Sequence, residues 1–534
     1  MKFAALLALT LSSSAFASDY DLVIRNGRLL DGAGNPWVAG DLAIKNGRIA
    51  AIGRVQGLGK REIEAAGRYV APGFIDMMDQ SGDVLPENGD AVNKLQMGVT
   101  TVISGESGTP VKAAELPKYF RDLERKGIAV NFGTYYNATD AREHVMGDGA
   151  GAPSQVQLQA MRDEIDVAMK AGVFGITTAL IYPPATFQTT DELVELAKVA
   201  GRCGGFYATH MRDESADLLR AIDEAVAIGE RGGVKVEIFH LKAAYAPQWG
   251  RLMPEAVQRI AQARARGIDI AADMYPYTAA GTGLSVTVPS WVFADGRDKG
   301  MERLRDPAVR ERIKREVASG SLPGWSNLVE ASGGWGRVLL GNPQSSEYER
   351  FRGKSMVEIG AALGKDPADT AWDIVLAALP KRATGLYFMM DERDVETALR
   401  QSWTSIGTDA PAVIHLGSRD EPTVPHPRVY GTFPRVLAEY VKRRGVLSLE
   451  DAVRKMTSWP ASRMGLVDRG VLREGLRADL VIFDMARIDD TPSYEKHAVA
   501  PQGIDYVLVN GKVTLENGAY TGAKAGRVLR HACN

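Results

Sequence analysis

Short apolar runs alternate with segments of helical spacing through the middle of the chain. In segments 191–202 and 216–231, for example, apolar residues recur at the spacing of an amphipathic helix. Strands that alternate with helices in this way predict parallel β/α units. The apolar runs number nine, one more than a (β/α)₈ barrel holds, so one of the last runs is expected to belong to an insertion. The runs are 73–78, 99–104, 129–134, 174–180, 206–210, 234–240, 268–274, 386–390 and 404–408.

The two ends of the chain share a different pattern. Near the N-terminus, 21–27 and 42–47 are short β-type runs that each finish in Asn-Gly, a strong hairpin signal. Near the C-terminus, 479–483 and 506–511 are again β-type runs, and the second also finishes in Asn-Gly. These runs predict one small β domain to which both termini contribute.

The predicted organisation is therefore an α/β, TIM-like (β/α)₈ barrel at 72–464 beside a small composite β-sandwich of 18–71 plus 465–534. The stretch 283–353 is rich in Gly, Pro and charged residues and breaks the strand–helix rhythm. We expect this stretch to be an insertion that covers the mouth of the barrel as a lid.

The first 17 residues predict a secretory signal peptide. Lys2 is followed by an apolar run at 3–11, and Ala15-Phe16-Ala17 is a small-x-small cleavage signal. The run is too short to cross a bilayer as a helix of the mature protein. We expect an exported protein, periplasmic or secreted, with no stable membrane anchor after cleavage; an uncleaved anchor is the alternative.

Composition narrows the class of protein. The chain has 534 residues, too many for one ordinary domain, and a net charge of −2 that offers no basic excess for nucleic acid or an anionic membrane. Cys203 and Cys533 are the only cysteines, which excludes a Cys-rich metal site or a disulfide-dense scaffold. Cys203 alone is expected to be a structural thiol.

Polar residues follow four of the predicted barrel strands. His210 and His240 end two strands, Glu106 follows another, and Asp409 follows the run 404–408. Catalytic residues of such barrels lie at the carboxyl ends of the strands, so these side chains can converge. Imidazole and carboxylate groups suit Zn²⁺, although such sites also accept other divalent ions.

Longer stretches of the chain resemble the amidohydrolase superfamily, and specifically its D-aminoacylase (N-acyl-D-amino-acid deacylase) family. The resemblance covers nearly all of the chain after residue 17, in the expected order. The most specific strings are His210-Met-Arg-Asp-Glu and Pro425-His-Pro-Arg-Val-Tyr-Gly-Thr-Phe-Pro-Arg. The other matching stretches are 21–27, 72–76, 98–101, 207–209, 240–244, 273–277, 407–409 and 475–481.

The chain departs from the superfamily at its metal ligands. A His-x-His pair normally follows Phe-Ile-Asp, but Met78 and Gln80 occupy those positions here. The family's ligating Cys after the second strand is also absent, and Glu106 is the obvious replacement. The resemblance therefore implies one metal ion, Zn²⁺ by preference, held by Glu106, His210 and His240.

The resemblance also implies the remaining roles. Asp409 would be the general acid and base for a metal-activated water, although a helix N-cap is an alternative reading of this residue. Lys242, Tyr275 and Arg428 match positions that bind the carboxylate of an N-acyl-amino acid; ordinary solvated charges are the alternative for Lys242 and Arg428. Arg212, Asp213 and Glu214, which directly follow the His210 region, are expected to orient that histidine or close the mouth.

The expected function is metal-dependent hydrolysis of the amide bond of N-acyl-D-amino acids, small molecules or short peptides. Two alternatives remain open. One is a dipeptidase or a cyclic-amide hydrolase, because the superfamily has many substrates and fold does not fix function. The other is a non-catalytic binding protein, which the loss of the His-x-His pair suggests. The acyl group, the preferred side chain, a second metal and the oligomeric state are not determined by the sequence.

Overall fold

The computed structural model describes residues 18–106, 108–318, 322, 324–413 and 424–533. The predicted signal peptide at 1–17 lies outside the described residues. In chain order the strands are β1 (Tyr20–Leu29), β2 (Val38–Lys45), β3 (Arg48–Gly53), β4 (Gly59–Glu64), β5 (Tyr69–Pro72), β6 (Phe74–Asp79), β7 (Val99–Ser104), β8 (Asn131–Thr134), β9 (Tyr136–Asn137), β10 (Gly175–Ala179), β11 (Phe206–His210), β12 (Lys235–Ile238), β13 (Ile270–Met274), β14 (Ala280–Gly283), β15 (Val338–Leu340), β16 (Thr384–Tyr387), β17 (Thr404–Ile406), β18 (Leu480–Phe483), β19 (Ile504–Val509), β20 (Lys512–Glu516) and β21 (Ala519–Tyr520).

Helices connect most of these strands. They are α1 (Val92–Gln96), α2 (Leu116–Lys126), α3 (Ala138–Met146), α4 (Gln155–Ala171), α5 (Thr190–Arg202), α6 (Leu218–Gly232), α7 (Leu252–Ala265), α8 (Arg297–Arg305), α9 (Pro307–Ala318), α10 (Leu328–Ser332), α11 (Met356–Leu363), α12 (Pro367–Ala377), α13 (Glu392–Leu399), α14 (Arg428–Arg435), α15 (Leu449–Met456) and α16 (Ser458–Arg463), with a π-helix at Val436–Arg443 after α14. No helix in the described ranges is long and apolar enough to cross a membrane.

The barrel is a ring of parallel strands in the order β6, β7, β8–β9, β10, β11, β12, β13 and β17. β8 pairs with β7 and β9 pairs with β10, so these two short strands together fill one place in the ring. A parallel bridge between Asp79 and Ala410 closes the ring from β17 back to β6. Strands such as β6, β7 and β13 are buried along their whole length, which explains their continuous apolar runs. The predicted α/β barrel is confirmed.

The ninth apolar run belongs to an inserted unit. β16, which overlaps the run 386–390, pairs antiparallel with β14 and β15 in a separate three-stranded sheet. The inserted unit has its own core of apolar side chains, which includes Val286, Leu340 and Trp372. It extends from β14 to β16 and is longer than the stretch 283–353 that composition indicated.

A nine-stranded sheet combines both ends of the chain. β5 lies between β1 from the N-terminal segment and β18 from the C-terminal segment, and thereby joins the two halves. Asn46-Gly47 connects β2 to β3, and Asn510-Gly511 connects β19 to β20, both with the positive φ that tight hairpins need.

Asn26-Gly27 is not a hairpin turn, contrary to the prediction. It lies within β1, where the pairing with β2 shifts register. Asn26 has a φ of 54°, and its backbone N–H donates to Asp41 Oδ1 at 2.9 Å instead of continuing the ladder. A Cβ on Gly27 would come within 2.8 Å of Val70. The dipeptide therefore forms a β-bulge, because a neighbouring strand crosses too closely for a larger residue.

Cys203 is not an isolated structural thiol. It forms a disulfide with Cys533, 330 residues away, and the bond fixes the C-terminal segment to the end of α5. Spacing could not indicate this pair, because the two residues approach one another only through the tertiary fold.

Candidate metal centre

Three potential metal ligands lie together at the ends of barrel strands. Glu106 follows β7, His210 is the last residue of β11, and His240 follows β12. All three side chains are buried, and one donor atom from each lies within 4.8 Å of the others. The structure thus brings together the three residues that the sequence singled out as ligands.

The donor atoms of this cluster are close but poorly hydrogen-bonded. His210 Nδ1 lies 2.8 Å from Glu106 Oε1, and His210 Nε2 lies 3.4 Å from Glu214 Oε2. Even so, both ring nitrogens of His210 and Oε1 of Glu106 are buried without a well-oriented hydrogen bond in the described structure. Buried polar atoms normally find partners, so these atoms fit a site that a cation completes.

The electrostatics of the cluster also favour a cation. Burial alone would raise the pKa of Glu106, but His210, helped by His240, outweighs burial and lowers this pKa to about 2. Burial opposes ionisation of Glu214 as well, yet His210 and Lys242 lower its pKa. Two ionised carboxylates therefore face the imidazoles, with donor types that suit Zn²⁺ and related ions.

Glu214 and Lys242 support the ligand histidines. Glu214 Oε1 lies 3.0 Å from His240 Nδ1 and accepts a hydrogen bond of 2.7 Å from Lys242 Nζ. Lys242 Nζ also lies 2.6 Å from His240 Nδ1. Burial and the Lys242 charge lower the pKa of His240, which keeps its ring neutral and able to ligate. Lys242 is buried, not an ordinary solvated charge.

Two site residues have an unusual backbone conformation. His240 has a φ of 37° and Asp409 a φ of 49°, both in the left-handed region that non-glycine residues rarely adopt. The His240 N–H donates to Asp273 Oδ1 at 2.8 Å, and the Asp409 N–H donates to the Met78 carbonyl at 2.8 Å. Strained conformations of this kind persist where the surroundings fix them, and they cluster at functional sites.

Asp409 connects the ligand cluster to the opposite wall of the site. Its Oδ1 accepts a hydrogen bond of 2.5 Å from Gln80 Nε2, which also donates to Glu106 Oε2 at 3.3 Å. Its Oδ2 lies 2.8 Å from Arg428 Nη1. Asp409 is not the N-cap of any helix in the described residues. Within that part of the chain, the alternative reading of Asp409 as a helix cap therefore does not apply.

A buried ion network holds the turn that carries Asp409. Lys94 Nζ lies 2.8 Å from Asp76 Oδ2 and 3.0 Å from Asp79 Oδ1, and it donates to Thr408 Oγ1 at 2.7 Å. The Thr408 N–H donates to Asp76 Oδ1 at 2.8 Å. The network thus connects the first and last barrel strands directly beneath Asp409.

The predicted substrate residues line one side of the site. The Arg428 guanidinium lies 4.9 Å from the centre of the Tyr275 ring, and Lys242 Nζ lies 5.7 Å from it. Arg428 is buried, and its Nε has no hydrogen-bond acceptor within the described ranges. A buried guanidinium with an unsatisfied donor is suited to an anionic ligand.

Of the three residues after Met211, only Glu214 contacts the ligand histidines in the described structure. Arg212 instead donates to Glu224 and to the carbonyls of Thr186 and Gln188. Asp213 accepts hydrogen bonds from the segment that begins at Ser215. Arg212 and Asp213 therefore do not orient His210 by direct contact, which was one of the two roles that the sequence suggested for them beside closing the mouth. Their hydrogen bonds fix neighbouring loops.

A cavity of about 330 Å³ opens onto the cluster. Several of its lining residues were not singled out in the sequence, among them Asn137, Tyr182 and Arg382. The Tyr182 ring lies 5.2 Å from that of His210, and its hydroxyl lies 2.8 Å from Thr282 Oγ1 of the inserted unit. Only the position of Tyr182 just after the apolar run 174–180 could have indicated that this residue lines the cavity.

Known proteins are similar to this chain over nearly its whole length. A model of the amidohydrolase family matches residues 375–515. D-aminoacylase of Alcaligenes xylosoxydans xylosoxydans is 33% identical over 97% of this chain and 99% of its own length.

Two solved structures are similar over nearly the whole chain. N-acyl-D-glutamate deacylase of Bordetella bronchiseptica, complexed with zinc and a phosphonate inhibitor, has a TM-score of 0.78 and 29% identity, and the match covers 96% of this chain and 99% of that one. A D-aminoacylase whose binuclear metal centre was studied has a TM-score of 0.79 and 31% identity, covering 96% and 100%. The present chain belongs to the D-aminoacylase family of metal-dependent amidohydrolases.

Proposed function

We propose that this enzyme hydrolyses the amide bond of N-acyl-D-amino acids with one divalent metal ion, Zn²⁺ by preference, per chain. The observation that carries the proposal is the buried cluster of Glu106, His210 and His240 below a cavity whose other wall contains Arg428. The deacylase activity named for the relatives supports the choice of substrate.

Glu106, His210 and His240 would hold the ion. A divalent ion there supplies Lewis-acid chemistry, which polarises a carbonyl group and makes water more acidic. The chain itself provides the proton transfers. Asp409 takes a proton from water at its carboxylate and returns it to the leaving amine, while Gln80 and Arg428 keep its two oxygens in place.

Arg428, Tyr275 and Lys242 would bind the carboxylate of the substrate. Arg428 has a buried Nε donor without an acceptor in the described structure, and a guanidinium can grip a carboxylate with two parallel hydrogen bonds. A carboxylate fixed in this way, together with a fixed scissile carbonyl, determines the hand of the Cα between them. This geometry supports discrimination between D and L substrates.

One metal ion per chain is supported by the residues on the first strand. Met78 replaces one histidine of the usual pair with a buried thioether, which is outside the Cys, His and carboxylate set that binds Zn²⁺ in proteins. Gln80 replaces the other, and its amide donates to both Glu106 and Asp409. A second cation between these two carboxylates would need a ligand atom that donates an electron pair. The Gln80 amide places an N–H group there instead.

The inserted unit would act as the lid, because Leu328, Gly283 and Thr384 all line the catalytic cavity from the insertion.

We further infer that the protein is exported to the periplasm or secreted. The signal-like segment at 1–17 supports export, and so does the disulfide between Cys203 and Cys533, because disulfides persist mainly in oxidising compartments. N-terminal sequencing of the protein from fractionated cells tests this: a start at Ser18 outside the cytoplasm is expected.

The decisive experiment combines metal analysis with a stereochemical assay. The purified protein is analysed for metal per chain and assayed with paired N-acetyl-D- and N-acetyl-L-amino acids. About one ion per chain with hydrolysis of the D series alone is expected. One ion with turnover only of dipeptides or cyclic amides would replace the proposed substrate, and no metal with no turnover would favour a binding protein.

A further inference from the structure

A lysine on the short helix α1 is completely buried. The ammonium of Lys94 donates to Asp76 Oδ2 at 2.8 Å, to Thr408 Oγ1 at 2.7 Å and to the Ala410 carbonyl at 2.8 Å. These contacts use all three of its N–H groups, and Asp79 Oδ1 lies 3.0 Å away as well. Burial opposes the charge of Lys94, but the two carboxylates outweigh burial and raise its pKa. Lys94 is therefore a buried cation.

Two of these contacts lie on either side of the proposed general base. Thr408 directly precedes Asp409 and Ala410 directly follows it, so Lys94 holds the turn at both ends. The turn needs such support, because Asp409 has a φ of 49°, and backbone strain of this kind persists only where the surroundings fix it. The direction in which the Asp409 carboxylate leaves the backbone thus depends on Lys94.

The side chain that binds the Asp409 carboxylate is tied to the same lysine. Gln80 Nε2 donates to Asp409 Oδ1 at 2.5 Å, and the Gln80 backbone N–H donates to the Ala410 carbonyl at 3.2 Å. That carbonyl also accepts the hydrogen bond from Lys94. Gln80 directly follows Asp79, which lies beside the ammonium. One buried cation therefore fixes both the backbone of Asp409 and the group that holds its carboxylate.

Lys94 also crosses a junction of the barrel at which the strands pair very little. Within the described residues, β6 and β17 share one bridge pair, Asp79 with Ala410. By comparison, β10 and β11 pair over five residues. Both members of the single bridge contact Lys94. The ammonium thus supplies contacts between the first and last strands that backbone pairing does not.

The stability of the barrel gives little reason for a charge at this position. Apolar side chains of similar volume often replace buried ion clusters with no loss of stability. They cannot, however, donate hydrogen bonds in fixed directions to a carboxylate, a hydroxyl and a carbonyl. No hydrogen bond or ion pair in the described ranges joins Lys94 to the proposed metal ligands Glu106, His210 and His240. The contacts of Lys94 therefore concern Asp409 and not the metal ligands.

We propose that Lys94 is a positioning residue: its buried ammonium holds the Asp409 carboxylate where it can exchange protons with the water and the leaving amine. This inference rests on the proposed function of Asp409 and deepens it. A misplacement of about 1 Å can cost about 100-fold in rate, so removal of the ammonium should lower kcat about 10- to 100-fold. Metal content and KM should change little, because Lys94 contacts neither the metal ligands nor the proposed carboxylate-binding residues in the described structure.

Lys94→Met tests this proposal, because methionine has a similar length and no charge. Values of kcat and KM are measured with N-acetyl-D-amino acids, or with whichever amide the unaltered enzyme hydrolyses, together with metal content and melting temperature. Lys455→Met on α15 is the matched control. Lys455 is also buried and donates to the Thr404 carbonyl at 3.5 Å, but Thr404 begins β17 and Asp409 follows its other end. Lys455→Met should therefore keep the kcat of the unaltered enzyme.

Thr408 provides a second pair of variants, which also serves if Lys94→Met does not fold. The Thr408 hydroxyl accepts a hydrogen bond from Lys94 and donates to Asp76 Oδ2 at 2.6 Å. Thr408→Val keeps the branched shape and removes both hydrogen bonds, so kcat should fall about tenfold, the usual effect of losing a hydrogen bond to a charged group. Thr408→Ser keeps the hydroxyl and should recover most of this loss.

A double variant distinguishes positioning from a general structural effect. Asp409→Asn already removes the group that Lys94 positions, so Lys94→Met should lower the kcat of Asp409→Asn by less than about twofold. Four outcomes would overturn the proposal: unchanged kcat in Lys94→Met, loss of metal together with activity, an equal loss of kcat in Lys455→Met, or a further full loss in the double variant. Each would leave Lys94 with a role in the stability of the barrel alone.

Crystal structures of the unaltered enzyme and of Lys94→Met separate this inference from the proposed function. The contact to measure is that between Gln80 Nε2 and Asp409 Oδ1, which is 2.5 Å in the unaltered chain. A displaced Asp409 carboxylate, in an enzyme that hydrolyses no N-acyl-D-amino acid, would support the positioning by Lys94 and refute the deacylase. A carboxylate that keeps its place in Lys94→Met would refute the positioning even if the deacylase is active.

Discussion

The side-chain amide of Gln80 donates to Asp409 across 2.5 Å, although the two residues are 329 positions apart in the chain. The same nitrogen lies 3.3 Å from Glu106. Gln80 thus connects a proposed metal ligand to the proposed general base, at the position where the superfamily has a metal-binding histidine. A neutral amide can bridge two carboxylates without a second cation.

Restoring the histidine pair should therefore restore a second site. Met78→His combined with Gln80→His is expected to raise bound zinc from about one to about two ions per chain, because two imidazoles replace a thioether and an N–H donor. Plasma mass spectrometry after dialysis against zinc measures this content. Gln80→His alone, with one new imidazole, should stay near one ion. A double variant that folds and still holds a single ion would contradict this account of Gln80.

Glu106→Ala should reduce the metal content of the purified protein well below one ion per chain. The substitution removes the only carboxylate of the proposed ligand set, and metal affinity depends on the number of ligands. Glu230→Ala, which removes an exposed carboxylate on α6, is the matched control and should keep its metal. Undiminished zinc and activity in Glu106→Ala would remove Glu106 from the site.

Asp409→Asn should leave metal content unchanged and lower kcat about 10²- to 10⁴-fold, the usual contribution of a general acid or base. Asparagine keeps the shape of the side chain and tolerates the positive φ of this position. The variant therefore tests proton transfer and not backbone strain. Stopped assays at high substrate concentration, with metal analysis of the same sample, measure both quantities. A rate near that of the unaltered enzyme would refute the assignment.

Much of the barrel could be predicted because its strands are buried on both faces. Such strands leave continuous apolar runs, and the polar residue that ends each run marks the mouth of the barrel. His210 and His240 were found in this way, and the structure brings both to Glu106. For these two histidines, the sequence pattern and the position in the barrel agree because the same buried strand produces the apolar run and carries the histidine to the mouth.

Relationships between distant segments could not be predicted in the same way. Lys94 pairs with Asp76 and Asp79 and donates to Thr408, but nothing in the local sequence distinguishes it from an exposed helix lysine. Asn26-Gly27 has the local signature of a hairpin and becomes a bulge because Val70 crosses behind it. In each case a contact from elsewhere in the fold decides the outcome.

The disulfide between Cys203 and Cys533 should stabilise the folded protein. Cys203→Ala with Cys533→Ala is expected to lower the free energy of unfolding by about 2–4 kcal/mol, because the cross-link restricts the unfolded chain. Thermal unfolding with and without a reductant measures the effect. The reductant should lower the melting temperature of the unaltered protein and leave that of the double variant unchanged. Equal melting temperatures for both proteins without reductant would show that the bond contributes little.

Arg428→Met should raise KM for N-acyl-D-amino acids and lower kcat/KM about 10- to 100-fold, the usual effect of losing a charge-assisted hydrogen bond in a buried site. Arg428→Lys should recover only part of this loss, because an ammonium group cannot form two parallel hydrogen bonds with a carboxylate.

Because Arg428 also contacts Asp409, a general loss of activity must be separated from a loss of substrate binding. The C-terminal amide of the same substrate, which lacks the carboxylate, makes this separation. If Arg428 binds the carboxylate, Arg428→Met should affect the amide far less than the acid. If Arg428 only positions Asp409, both substrates should lose activity equally. Arg337→Met, which removes an exposed arginine of the inserted unit that lies over the Trp249 ring, should change the activity on neither substrate. Equal losses for the acid and the amide would therefore show that Arg428 positions Asp409 and does not recognise the carboxylate of the substrate.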